Sequence, residues 1–174
     1  MAADGRSSGK EGSGIMAKET AGGTGITVAL VASEFNYDVS MMMLDRAREE
    51  IAFLGARVGP IVKTPGVYDM PLAVKTLFER TAVDAVVVVG AVIEGETGHD
   101  EVVMNQAARK LTDLSVEYGR PVGLGVSGPG ETRLQAQDRI ENAAGAVRAV
   151  VKMVARLREI GEGSPSAPRS GGTR

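Results

Sequence analysis

The chain has 174 residues, a formal net charge of -2, no cysteine and 3% aromatic residues. That length suits one domain with a real core, and the interspersed charge offers no basic stripe, and few rings, for a nucleic acid. Without cysteine there are no disulfides, Cys-zinc sites or thiol catalysis, and no apolar run approaches the roughly 20 residues of a membrane helix, so the sequence reads as that of a soluble, cytoplasmic protein.

Residues 1–24 are mostly Gly, Ser, Lys and Glu without apolar periodicity, and they lack the apolar core and cleavage site of a signal peptide. They are expected to be a disordered extension, within which Met16 is an alternative start. The tail, 161–174, repeats that composition with two prolines and is expected to be disordered as well. The folded domain is therefore placed at 25–160.

Within it, apolar runs and amphipathic segments alternate four times, as in a parallel α/β domain. The first strand is predicted over Ile26 to Ala32, and the first helix over Val39 to Leu54, with Met43, Ala47, Ile51 and Leu54 on one stripe and Gly55 as its stop. Met41 to Met43 read as flexible core or subunit contact rather than as site lining. After a strand over Arg57 to Lys63 comes Pro65-Gly66-Val67-Tyr68-Asp69-Met70-Pro71. Asp69 can cap the second helix, Pro71 suits its first turn, and Val74, Leu77 and Phe78 form its buried face.

The third strand, Asp84 to Val92, is Val-rich without alternation, as expected when both faces are covered. It runs into Gly90-Ala-Val-Ile-Glu-Gly-Glu-Thr-Gly-His-Asp100, which holds the only histidine, and then into a helix marked by Val103, Ala107, Leu111 and Leu114. A fourth strand over Pro121 to Val126, a short helix over Arg133 to Arg139 and a long one from about Ile140 to Ile160 complete the pattern. The expected fold is a three-layer α/β/α sandwich on a four-stranded parallel sheet, flavodoxin-like. In such sheets ligands bind beyond the carboxyl ends of the strands. Four polar, glycine-rich segments belong there: Ser33 to Tyr37, Thr64 to Asp69, Gly90 to Asp100 and Ser127 to Arg139.

Taken alone, the residues of that rim leave two readings open. His99 is the one side chain whose ordinary pKa lies near neutrality, and a helix start favours its neutral, basic form; equally, Thr97-x-x-Asp100 has the form of a capping box that merely begins a helix. Gly95, Glu96 and Thr97 can offer free amides to an anion, but Glu94, Glu96 and Asp100 oppose one, so a cation must lie nearby. Arg139 and, less strongly, Arg133 are the candidates, although an exposed arginine needs no ligand.

Four motifs in this order resemble the lumazine synthase family over about Ile26 to Leu157: Phe35-Asn36, the Pro65 to Pro71 block, Val92-Ile-x-Gly-Glu-Thr-x-His99 and Gln135-Ala136-x-x-Arg139. The resemblance implies a cofactor-free transferase of riboflavin biosynthesis. It would condense 5-amino-6-(D-ribitylamino)uracil with 3,4-dihydroxy-2-butanone 4-phosphate, releasing phosphate and water. By the same resemblance His99 is the general acid/base, and Gly95, Glu96, Thr97 and Arg139 hold phosphate. Phe35, Tyr68, Asp69, Val92, Ile93 and Leu124 hold the pyrimidine and its ribityl chain, with Leu124 in place of the aromatic ring that many members present from a neighbouring subunit. The resemblance also implies a homopentamer with shared sites, which some members assemble into sixty-subunit shells. Departures lie at Ser127-Gly128-Pro129-Gly130 and at Ile140 to Ala144, where members often carry a Thr-Thr segment and a Gly/Lys-rich turn. The competing readings are a riboflavin synthase of the same fold, a non-catalytic lumazine carrier or scaffold, and a flavodoxin-like nucleotide binder. The last is disfavoured, because Gly95-Glu96-Thr97-Gly98 matches neither nucleotide fingerprint.

Overall fold

The computed structural model describes residues 21–93 and 99–162. After a 3-10 turn at Ala21–Gly23 come β1 (Thr27–Ser33), α1 (Tyr37–Phe53), β2 (Arg57–Thr64) and a second 3-10 turn (Val67–Asp69) leading into α2 (Met70–Arg80). They are followed by β3 (Ala85–Ile93), α3 (His99–Tyr118), β4 (Val122–Glu131), α4 (Arg133–Asp138) and α5 (Asn142–Glu162). All four strands are parallel, in the order β2-β1-β3-β4. The chain reverses its direction of sheet growth between β1 and β3, so the crevice beyond the ends of those strands is where this topology can admit a ligand.

The side-chain period of two sorts the strand residues between two cores. Leu30, Ala32, Val87 and Val89 pack against Met43, Ala47 and Ile51 of α1 and against Val147, Val150 and Val154 of α5. Ala29, Val31, Val86 and Val88 pack against Val74, Leu77 and Phe78 of α2 and against Ala107, Leu111 and Leu114 of α3. Hence the unbroken Val-rich run at Asp84 to Val92 is a central strand, buried on both faces. The expected α/β/α sandwich is the observed fold.

Glycine thins β4 under α5. A Cβ placed on Gly123 would lie 2.8 Å from Val150 Cγ1 and 2.9 Å from the Ala146 carbonyl oxygen, so no larger residue lets the helix seat as it does. Most boundaries shift by one or two residues from expectation, and two of the differences shape the strand-end rim. The fourth strand does not stop at Val126 but pairs with β3 as far as Glu131, and the last helix begins at Asn142 rather than Ile140. The first difference arises because Ala91 pairs with Ser127 and Ile93 with Glu131. β4 thus spends four residues where β3 spends two, and the surplus at Gly128 to Gly130 bulges out while the facing of later side chains is kept. The second arises from a turn at the end of α4, in which the Asn142 N–H donates to the Arg139 carbonyl (2.9 Å).

Candidate functional site

The carboxyl ends of the four strands make one rim, and short bonds tie its loops together. Beyond β1, the Phe35 N–H donates to Ser33 Oγ (3.1 Å), and Ser40 Oγ donates to the Phe35 carbonyl (2.9 Å). The Glu34 N–H donates to the Thr64 carbonyl at the end of β2 (2.8 Å), and Asn36 Nδ2 donates to the Ala91 carbonyl near the end of β3 (2.9 Å). Asn36 itself is left-handed, at φ 52 and ψ 50, a conformation asparagine tolerates better than most residues. The turn backbone is therefore fixed on both sides of Phe35, whose ring stands 73% exposed.

Beyond β2, Thr64 Oγ1 donates to the Gly66 carbonyl (3.0 Å) and the Gly66 N–H donates to Asp69 Oδ2 (3.0 Å). Asp69 occupies the position before α2 expected of a cap, but its carboxylate closes the preceding turn instead of accepting from an amide of α2. The physical reason is proximity: Asp69 is the last residue of the 3-10 turn, facing back along it. Tyr68, beside it, is 66% exposed. The whole turn lies close to β3, where a Cβ added to Gly90 would come within 3.0 Å of Ser33 Cβ and 3.5 Å of Val67 Cγ2.

Val92 and Ile93 end β3, both half-buried. They face opposite layers, Val92 toward the α2/α3 core and Ile93 toward the α1/α5 core, so their side chains do not form one continuous floor within the chain. Gly95, Glu96 and Thr97, with the acid at 94, lie outside the described residues, as does the Thr97 half of the capping box. The backbone of His99 opens α3 at the rim. Asp100, next in that turn, accepts from the Gly130 N–H on the β4 bulge (3.0 Å) and so joins the helix start to the fourth strand.

Past the bulge, Thr132 caps α4: its Oγ1 accepts from the Gln135 N–H (3.3 Å) and its own N–H donates to Gln135 Oε1 (2.9 Å). The short helix delivers Arg139 at its C-cap. Arg139 Nη1 donates to Oε2 of Glu131 (2.9 Å), an acid only 1% exposed, while the arginine side chain remains 48% exposed. Arg133 instead pairs with Asp38 at the start of α1 (2.6 Å), and that bond is the main reason the Asp38 carboxyl lies below the ordinary carboxylate range. Of the two arginines, Arg133 is thus engaged with an exposed acid and Arg139 with a buried one.

Leu124 is not gathered with these groups. It pairs with Val88 in mid-sheet, 44% exposed, and lines a groove of about 1050 Å³ along the free edge of β4 with Val116, Met153 and Leu157. Sequence reasoning missed Glu131 and the tie from Asp100 to Gly130, and it left Asn36 without a structural role. An acid beyond a Gly-Pro-Gly segment was the available signal for Glu131, but ending the strand at Val126 hid its inward facing.

The model of the 6,7-dimethyl-8-ribityllumazine synthase family matches residues 25–158. Proteins named 6,7-dimethyl-8-ribityllumazine synthase are similar over nearly their whole length. One from Methanococcus maripaludis strain C5 is 55% identical over 135 residues, covering 78% of this chain and 98% of the relative. One from Methanocaldococcus jannaschii is 54% identical over 137 residues, covering 79% and 97%, and one from Picrophilus torridus is 53% identical over 133, covering 76% and 98%. With the flavodoxin-like sheet and the rim just described, these matches place the chain in the 6,7-dimethyl-8-ribityllumazine synthase family.

Proposed function

We propose that this chain condenses 5-amino-6-(D-ribitylamino)uracil with 3,4-dihydroxy-2-butanone 4-phosphate, as a transferase of riboflavin biosynthesis working in the cytoplasm. The observation that carries the reading is that the described parts of the family motifs share one strand-end rim, tied across by Asn36 to Ala91 and by Asp100 to Gly130. Amine attack on a ketone, elimination of phosphate and ring closure with dehydration require proton transfer near neutral pH and a cation for the departing anion.

In this reading His99 moves the protons, Phe35 stacks on the heterocycle, and the backbone at Tyr68 and Asp69 pairs with its polar edge. The Asp69 carboxylate receives ribityl hydroxyls with the oxygen not engaged by Gly66, and the ends of Val92 and Ile93 give apolar contact. Arg139 holds the phosphate with the exposed part of its guanidinium, alongside the amides of Gly95, Glu96 and Thr97. A second copy of the chain seats on the groove along β4, bringing Leu124 to the neighbour's rim, in a pentamer that larger shells can incorporate. Support comes from the exposed apolar side chains of Val116, Leu124 and Met153 on that edge. No helix among the described residues is long and apolar enough to cross a membrane.

Arg139→Ala tests the phosphate assignment. Its KM for the butanone phosphate should rise at least about tenfold with that for the pyrimidine little changed, as for loss of a charge-assisted contact to one substrate. An unchanged phosphate-substrate KM would remove Arg139 from the role.

A further inference from the structure

We infer that Glu131 is a positioning residue, which aims Arg139 at a phosphate group; the inference rests on the reading of Arg139 above and adds a residue to it. Glu131 is 1% exposed, and of its two oxygens Oε2 accepts from Arg139 while Oε1 has no hydrogen-bond partner among the described residues. A buried carboxylate with so few partners is a poor device for stability, since an apolar side chain of like volume would do as well or better there. Its place is nevertheless elaborately built. Gly128 has a φ of 97 and would drive a Cβ into the Val92 carbonyl oxygen, Gly130 has a φ of 72, and the Gly130 N–H is held by Asp100. These features set the two-residue surplus that returns Glu131 to the inner face of β4, beneath the end of α4.

The guanidinium has five N–H donors in a fixed fork. Glu131 takes one at Nη1, on a side chain that is half exposed, so an anchored arginine keeps donors for a ligand from solvent. Anchoring lowers the rotamer freedom that would otherwise be lost on capture, which tightens binding. The carboxylate's own negative charge acts the other way, repelling a phosphate. The two effects predict opposite outcomes for Glu131→Gln, which keeps shape and burial but removes the charge and weakens the anchor. If aiming dominates, phosphate binds more weakly; if charge dominates, it binds more tightly.

The experiment measures binding of inorganic phosphate by calorimetry, together with the KM for each substrate, in the full chain, in Glu131→Gln, in Arg139→Ala and in the double variant. Aiming predicts that Glu131→Gln weakens inorganic phosphate about five- to tenfold and raises the phosphate-substrate KM alike, with the pyrimidine KM and kcat within about twofold. In the Arg139→Ala background the second change should add nothing, because Glu131 acts through that arginine. Unchanged or tighter phosphate binding in Glu131→Gln, equal loss for both substrates, or additivity in the double variant would each overturn the inference. Should Glu131→Gln not fold, Glu131→Asp withdraws the anchor while keeping its charge and must weaken phosphate in the same direction. The calorimetric arm does not depend on turnover. Phosphate binding that weakens in Glu131→Gln while no lumazine forms would count against the proposed reaction and leave Glu131 in place.

Discussion

The Phe35 ring owes its presentation to its neighbours' side chains. Ser33 and Ser40 are both fully buried, and each spends its hydroxyl on the Phe35 backbone, while Asn36 adopts a left-handed conformation to reach Ala91. Ser40→Ala should therefore raise the pyrimidine KM a few-fold and leave the phosphate-substrate KM alone, since it loosens the ring platform through one hydrogen bond worth about 1 kcal/mol. Steady-state kinetics with each substrate varied in turn checks this. At the same scale, His99→Ala should lower turnover by roughly 10²-fold or more if imidazole moves protons in the slow step. Single-turnover rates against a boiled-protein control check that, and a rate within twofold of the parent would remove His99 from the chemistry. The residue types of the rim were legible in the sequence, but their pairings were not. Asp69 binding back to Gly66, and Arg139 meeting a buried acid eight residues before it, depend on how a turn and a bulge close, and neither follows from spacing.

Among the described residues, periodicity identified the four strands and the four longer helices because apolar burial imposes it directly, whereas the short α4 carries too few residues to show one. Two boundaries were harder. A strand that bulges at Gly128 to Gly130 reads as a strand that ends there, and a turn at Arg139 to Asn142 reads as continuous helix because Ile140 and Ala143 remain apolar. The seat of α5 on β4 makes a sharp test. Gly123→Ala places a methyl group against Val150 and the Ala146 carbonyl, and should destabilise the domain by about 1–3 kcal/mol, as overpacked cores do. A urea midpoint matching the parent protein would show that α5 shifts freely.

On the α1 side of the sheet, ion pairs tie the helices to one another and contribute to the molecule's response to acid. Arg46 bridges the buried Glu50 of its own helix to Glu141 at the turn before α5, and Arg133 bridges α4 to Asp38. Arg46 holds the Glu141 carboxyl, and Arg133 the Asp38 carboxyl, below their ordinary values. Lowered carboxyls lend their stability fully above the ordinary carboxylate range, near pH 4, and lose it as pH falls through the lowered folded value. The double variant Asp38→Asn, Glu141→Gln should accordingly lose less Tm than the parent on acidification below that range, while starting from a slightly lower Tm at neutral pH. Parallel Tm curves would refute the linkage. The strand order was not legible either: periodicity marks strands without saying which neighbours pair, so nothing in the sequence marked β4 as the edge.

The reaction proposed for this rim joins a pyrimidine amine to a butanone phosphate. Mixing both substrates with the purified chain and following the fluorescent lumazine product tests it most directly. Product should form well above the boiled-protein background, need both substrates and release phosphate in step. Product at the background rate only, or consumption of 6,7-dimethyl-8-ribityllumazine to riboflavin without the butanone phosphate, would contradict it.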